Sequence, residues 1–338
     1  MKKWMVAAAC SFFVLNSLGL STASAAQPDA VAQSAVLDNA TEQPNHIDFK
    51  SIHEKQHRPV VALVLGSGGA RGYAHIGAID VLEKNGIHPD FIVGTSAGSI
   101  AGALYASGKT AEQMKDIALN MKVNDVREFK IRKKGFLDGQ KVQDFINEQV
   151  NNLPLEKMKI PLFVVATQLK TGKKVVFNYG NTGQAVSASA AIPSMFIPAN
   201  IAGQEYVDGG LVSPVPVEVA RQLGADVVIA VDILAQPKYT VTDNIWGLFN
   251  QNINIMQQHL SQVELQQADV VIRPDIREKA HIFDVKERAN TMLAGEVASQ
   301  AKINSIKHIL QERSNAFAFK NSSNELANVS KTSNQPNE

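Results

Sequence analysis

Between Arg58 and about Leu310, short runs of β-branched and other apolar residues alternate with longer stretches whose apolar positions recur at helical spacing. That alternation predicts an α/β fold with a mostly parallel central sheet and helices on both faces. The expected strands are 60–65, 91–93, 162–167, 175–178, 227–232 and 269–272. A run as continuously apolar as Val60-Val61-Ala62-Leu63-Val64-Leu65 suits a strand covered on both faces. Helices fill the intervals. One over 74–84 stops at Asn85-Gly86, and another opens at Thr110, where Gln113 three residues on completes a capping box. Further helices are expected over 97–106, 215–223, 243–267 and 288–311, all within one domain spanning 58–312.

The flanks read differently. Lys2 and Lys3 precede an apolar run over 4–20, followed by Ala23-Ser24-Ala25-Ala26, which is the order of a secretory signal peptide cleaved after Ala25. The alternative for 1–25 is an uncleaved membrane anchor. Either way the chain is expected to be exported, and to be periplasmic or secreted, with membrane association if the anchor stays. Residues 26–57 and 313–338 are polar without sustained periodicity and are expected to be solvated, disordered extensions.

Composition narrows the chemistry. Of the 338 residues only one is cysteine, Cys10 inside the expected signal, so a disulfide framework and a cysteine-rich zinc site are both excluded. The 33 Lys+Arg against 32 Asp+Glu leave a formal charge of +1, which gives no bulk reason to bind nucleic acid. No metal or cofactor is implied.

Three glycine turns carry the candidate chemistry. The first, Gly66-Ser67-Gly68-Gly69-Ala70-Arg71-Gly72, lies between an expected strand and helix, where unpaired backbone N–H groups can face an anion. It is neither a Rossmann loop, because Arg71 occupies the sixth position where glycine is required, nor a Walker loop, because no Gly-Lys-Ser/Thr follows. The second, Gly94-Thr95-Ser96-Ala97-Gly98, fits Gly-x-Ser-x-Gly between strand and helix, with Ser96 as the nucleophile. The third, Tyr206-Val207-Asp208-Gly209-Gly210, ends an apolar hairpin strand and offers Asp208 as a base; an ordinary surface Asp-Gly turn is the alternative. A Ser-His-Asp arrangement would draw on His259, His281 or His308, none of which is flanked by turn residues. His75 opens the helix after the first turn and helps to set that loop.

Taken together the three turns resemble the patatin-like phospholipase family of acyl hydrolases. The resemblance rests on 66–77, on Gly94-Thr95-Ser96-Ala97-Gly98-Ser99, on Ser189-Ala190-Ala191-Ile192-Pro193, on Asp208-Gly209-Gly210 and on Gly224-Ala225-Asp226, and it extends over most of 58–276. It implies a three-layer sandwich, a Ser96–Asp208 dyad and a phospholipid or lysophospholipid substrate. The glycine loop becomes the oxyanion hole, with donors from Gly68 and Gly69 and from the adjacent Ala70 or Arg71. Gly66, Gly72, Gly94, Gly98, Gly209 and Gly210 support the motifs. Arg71 either steadies the loop or attracts a lipid phosphate. Ser67 replaces a glycine common in the family, and Ser213 replaces its frequent asparagine before Pro214. A lipid-binding protein with the same fold and little turnover is the other reading.

Residues 127–141 carry six basic residues against Glu128 and Asp138, a net +4, interleaved with Phe129, Ile131 and Phe136. Residues 127–136 are therefore either a peripheral membrane contact or a solvated loop with its aromatic residues turned inward. Residues 192–198 either line an acyl slot or belong to the core.

Overall fold

The computed structural model describes residues 58–332 apart from 127, 133, 235, 238–241 and 277–285. The expected signal peptide and N-terminal extension lie outside the described residues.

The strands are β1 (Val61–Leu65), β2 (Phe91–Thr95), β3 (Glu128–Arg132), β4 (Gly135–Asp138), β5 (Leu162–Gln168), β6 (Lys174–Phe177), β7 (Ala199–Ile201), β8 (Gln204–Asp208), β9 (Val227–Val231) and β10 (Val270–Ile272). The helices are α1 (Tyr73–Lys84), α2 (Ala97–Ala106), α3 (Ala111–Asn120), α4 (Val123–Val126), α5 (Gln140–Gln149), α6 (Thr182–Ser189), α7 (Val217–Gln222), α8 (Ile245–Leu265), α9 (Arg288–Gln300) and α10 (Ile303–Thr332). Eight strands form the main sheet in the order β10-β9-β1-β2-β5-β8-β7, with β6 also paired to β5, while β3 and β4 make a separate hairpin. The five strands from β10 to β5 are parallel, as the alternation of elements requires, and β6, β7 and β8 join antiparallel.

The apolar run of β1 is buried on both faces of the sheet. Val61, Leu63 and Leu65 pack with α1 and α2, whereas Val60, Ala62 and Val64 pack with Val217 and Ala220 of α7 and Leu265 of α8. Strand alternation thus sends successive side chains into two separate cores, giving three layers. Helix limits follow local chemistry: α1 ends before Gly86 at φ +69°, α3 opens with the complete Thr110–Gln113 capping box, and Asn244 caps α8.

The expected 288–311 helix is two helices, α9 and α10, separated at Ala301 and Lys302. α10 also continues through the segment expected to be a disordered tail as far as Thr332. No glycine or proline interrupts 296–332, so nothing local stops it. Several further elements were not expected, among them α4 and β7. The β3–β4 hairpin lies in the basic segment, and α5 and α6 are short helices, α6 being capped by the Asn181 side chain on the Gln184 N–H.

Helices α1 and α9 approach so closely that a Cβ on Gly77 would lie 2.0 Å from the Met292 carbonyl oxygen, and one on Gly295 would lie 2.0 Å from that of Ala74. Lys115 of α3 bridges Asp80 of α1 and Glu296 of α9 at 2.7 and 2.8 Å, fastening the same layer. Gly295→Ala is expected to force the helices apart and to lower stability by about 1–3 kcal/mol in denaturant unfolding.

Candidate active site

Strand β5 assembles the site. Its Ala166 and Thr167 pair with both β6 and β8, so those two strands occupy opposite edges; Val164 and Val165 pair with both β6 and β2, so β2 and β8 share one edge. On that edge β2 runs parallel and β8 antiparallel, and their C-terminal ends meet. Thr95 lies opposite Val165 and Asp208 lies opposite the next residue, Ala166. Ser96, immediately after Thr95, therefore arrives beside Asp208.

Ser96 sits at φ 53°, ψ −119°, a conformation costly for any side chain, and it caps α2. Its neighbours hold it there. A Cβ on Gly98 would lie 2.0 Å from the Leu65 carbonyl oxygen, and one on Gly94 would lie 2.8 Å from that of Gly98, so the sharp turn needs both glycines. The Ser96 N–H donates to Ser189 Oγ at 2.8 Å, the Ser189 hydroxyl donates to the Val165 carbonyl at 2.5 Å, and the Ser99 hydroxyl donates to the Ser96 carbonyl at 2.6 Å.

The Ser96 hydroxyl donates to Asp208 Oδ2 at 2.6 Å, and the Gly210 N–H donates to Oδ1 at 2.6 Å. The Asp208 backbone is fixed at both ends, its N–H on the Ala191 carbonyl and its carbonyl on the Thr167 hydroxyl, each at 2.9 Å. Gly209 passes so near β5 that a Cβ there would lie 2.2 Å from the Val165 carbonyl oxygen. Asp208 is thus a buried carboxylate inside the fold, not a surface turn. Burial pushes its carboxyl up to about 6, against the lowering effect of the bonds from Ser96 and Gly210.

The first glycine turn lies alongside. Gly69–Gly72 form one 3₁₀ turn, Gly69 has φ +59°, and a Cβ on Gly72 would lie 2.8 Å from Cβ of Ala97. Glycine at that position therefore lets the loop approach the residue after Ser96. The N–H groups of Gly68, Gly69 and Ala70 have no hydrogen-bond partner among the described residues. That of Arg71, expected among the oxyanion donors, instead faces the Gly68 carbonyl at 3.3 Å because the 3₁₀ turn closes on it. The Arg71 Nε donates to the Ile233 carbonyl at 2.9 Å, anchoring the loop to the end of β9. His75 is fully buried, with Nε2 2.8 Å from the Gly66 carbonyl. Desolvation lowers its pKa to about 4, so the ring is neutral and Nε2–H is the donor that holds the loop.

The other histidines lie elsewhere. His259 is exposed on α8, His308 is exposed beside Glu312, and His281 is outside the described residues. Neither His259 nor His308 makes a hydrogen bond to Ser96.

A cavity of about 180 Å³ opens at Gly69, Ala70 and Ser96 and runs between apolar walls that include Ile100, Leu104, Phe145, Ile146, Ile192 and Phe196. Two residues of the 192–198 stretch thus line this slot. Among the described residues no group of His, Cys, Asp and Glu is arranged to hold a metal ion.

The basic segment is partly neutralised within the fold. Lys130 pairs with Glu128 and Asp138 at 3.1 and 2.8 Å, Lys134 pairs with Glu205 at 2.7 Å, and the Lys141 ammonium donates to the Asn124 carbonyl. Phe136 is half-buried against the core; Arg127, Lys133 and the side chains of Phe129, Ile131 and Arg132 lie outside the described residues.

Sequence reasoning gave no role to Ser189, Thr95 or Thr167. Small hydroxyl residues are common, and only the Ser189-Ala190-Ala191-Ile192-Pro193 stretch pointed to the first of them.

All three turns lie within the range matched by a known family. Residues 63–221 match the family model described as patatin-like phospholipase. An uncharacterized NTE family protein of Mycobacterium tuberculosis is 36% identical over 177 residues, covering 52% of this chain and 49% of that protein. The human patatin-like phospholipase domain-containing protein 6 is 31% identical over 224 residues, covering 62% of this chain and 16% of that one. The chain thus spans about half the length of the mycobacterial relative and much less of the human one. Among solved structures, VipD from Legionella pneumophila covers 73% of this chain and 67% of its own at 14% identity, with a TM-score of 0.46. The family model spans both Ser96 and Asp208, and it is over residues 63–221 that this chain is similar to the patatin-like phospholipase family.

Proposed function

We propose that the protein is a serine acyl-ester hydrolase of phospholipase A or lysophospholipase type that works through Ser96 and Asp208. One observation carries this reading: the Ser96 hydroxyl donates directly to a buried carboxylate at 2.6 Å, beside free backbone donors and an apolar slot. In the reaction, Ser96 Oγ attacks the ester carbonyl carbon while its proton passes to Asp208 Oδ2. The negative charge on the carbonyl oxygen meets the N–H groups of Gly68, Gly69 and Ala70, each such donor being worth about 3–4 kcal/mol in the transition state. The tetrahedral species collapses, the C–O bond to the alcohol breaks, and Asp208 returns the proton to the departing alcohol oxygen. Water then attacks the acyl-serine with Asp208 as base, releasing the fatty acid and restoring Ser96. The acyl chain lies along the slot. A carboxyl with a pKa of about 6 is ionised at neutral pH yet close enough to that pH to exchange a proton readily.

The sequence supports two further proposals. The 1–25 segment directs export, and residues 127–136 touch anionic lipid. Lys130 and Lys134 are engaged in ion pairs, and the other basic residues of the 127–136 sequence are Arg127, Arg132 and Lys133.

Ser96→Ala and Asp208→Asn are each expected to lower hydrolysis of a lysophospholipid and of a soluble p-nitrophenyl ester at least about 10³-fold. A fluorophosphonate should label wild-type Ser96. An unlabelled wild type would favour the lipid-binding reading, and wild-type rates in either variant would refute the dyad.

The pH dependence follows from Asp208. Below about 6 the carboxyl is protonated and cannot take the Ser96 proton, so kcat/KM is expected to rise through about pH 6 and then level. A flat profile between pH 5 and 8 would contradict this assignment.

Stability moves in the opposite sense. The folded-state pKa lies above the ordinary 3.8, so Asp208 stabilises the fold below that value, and the contribution is lost as pH rises through about 6. Asp208→Asn is accordingly expected to raise the melting temperature at pH 8 while removing activity.

Triple neutralisation of Arg127, Arg132 and Lys133 to glutamine is expected to weaken binding to phosphatidylglycerol vesicles and to leave soluble-ester hydrolysis unchanged. Undiminished vesicle binding would remove the lipid-contact assignment.

A further inference from the structure

Residues 213–215 touch all three glycine turns. The Ser213 N–H donates to the Gly209 carbonyl at 2.9 Å, next to Asp208, and the Ser213 carbonyl accepts from the Thr95 hydroxyl at 2.9 Å, next to Ser96. The Pro214 carbonyl accepts the Ser67 N–H at 2.8 Å, at the start of the oxyanion loop, and Val215 packs where a Cβ on Gly66 would lie 3.1 Å from its Cγ2. The position of this segment therefore sets the mutual placement of nucleophile, base and oxyanion donors.

A carboxylate outside the dyad grips the segment. Glu264, near the end of α8, is buried; its Oε1 accepts from the Ser213 hydroxyl and its Oε2 accepts from the Val215 N–H at 3.1 Å. We infer that Glu264 is a positioning residue, which clasps 213–215 through the Ser213 hydroxyl and thereby keeps Ser96, Asp208 and the Gly68–Ala70 donors in register. The inference rests on the proposed hydrolase reading for its kinetic consequence, but not for its structural one.

The chemistry of the clasp suits this role. The Val215 N–H can only donate, so it needs an acceptor at all times, whereas the Ser213 hydroxyl can donate or accept. Burial pushes the Glu264 carboxyl up to about 7, opposed by the bonds from Ser213 and Val215 and by Lys174, and reinforced by Glu218. Lys174 and Glu218 pair with each other at 2.5 Å. When Glu264 is protonated, one oxygen still accepts from Val215 while the O–H donates to Ser213 Oγ, so both partners stay satisfied across the titration. A glutamine can do the same, with its carbonyl on Val215 and its amide N–H on Ser213. An alanine cannot, and it leaves the Val215 N–H buried without an acceptor.

The test compares wild type, E264A, E264Q and S213A with a soluble p-nitrophenyl ester, with rates expressed per Ser96 titrated by fluorophosphonate. E264A is expected to lose at least about tenfold in kcat with KM within about twofold, and E264Q to stay within about threefold of wild type. S213A should lose at least about threefold, and the E264A/S213A double variant should be no worse than E264A, because both remove one clasp. Hydrogen exchange by mass spectrometry supplies the readout that needs no turnover. Peptides spanning 66–71 and 208–217 should exchange faster in E264A and S213A but not in E264Q, with α1 unchanged. Should E264A not fold, S213A against wild type decides by the same two measurements.

A kcat in E264A within about twofold of wild type, equal impairment of E264Q and E264A, or unchanged exchange at those peptides would overturn the clasp. A wild type that neither hydrolyses ester nor takes the label would instead refute the hydrolase reading, and the exchange comparison alone would then decide the clasp.

Discussion

One edge of β5 serves two strands, and the candidate site depends on that sharing. β2 arrives parallel and stops opposite Val165, and β8 arrives antiparallel and stops opposite Ala166. Because the two strands end facing each other, the turn after β2 and the last residue of β8 open at one point, although Ser96 and Asp208 are 112 residues apart. Register is unforgiving in this arrangement. A slip of one residue in β8 would turn the Asp208 side chain to the other face of the sheet and remove it from Ser96. The buried apolar faces on both sides of β1, β2 and β5 resist such a slip, so the same hydrophobic pattern that builds the layers also fixes the distance between Ser96 and Asp208.

The site itself is locally unfavourable. Ser96 adopts a backbone conformation that costs about 1–3 kcal/mol, Asp208 holds a charge away from water, and Gly98 and Gly209 lie where any side chain would collide with backbone. These features sit together because each needs the others: the sharp turn aims the hydroxyl, burial raises the basicity of the carboxylate, and the glycines permit the close approach of the loops. The surrounding framework over-determines them through Ser189, Thr95, Thr167, Ser213 and His75. Each of these ties one turn to another element.

Much of the sheet was legible from the chain because strands buried on both faces are continuously apolar and bounded by glycine turns, as in 60–65 and 227–232. The β3–β4 hairpin was not, since Glu128, Lys130 and Arg132 of β3 and the basic residues beside it read as a charged segment, and β4 is only four residues long. Helix α6 was missed for a different reason: Thr182–Ser189 is short and built of residues with modest helix preference, and its Asn181 cap is the only strong local sign. The break between α9 and α10 has no glycine or proline to announce it.

Residue by residue, the sequence determined the types of group available: a serine in a turn too sharp for anything but flanking glycines, an aspartate before two glycines, and a loop rich in unpaired N–H groups. Those properties are local and depend on backbone preferences over a few positions. The tertiary structure alone decided which groups meet. It placed Asp208 against Ser96, turned the Arg71 side chain to Ile233, drew Lys130 and Lys134 into ion pairs, and brought Glu264 to Ser213 from a distant helix. Partnerships of that kind follow from long-range strand register and layer packing, which no short stretch of sequence encodes.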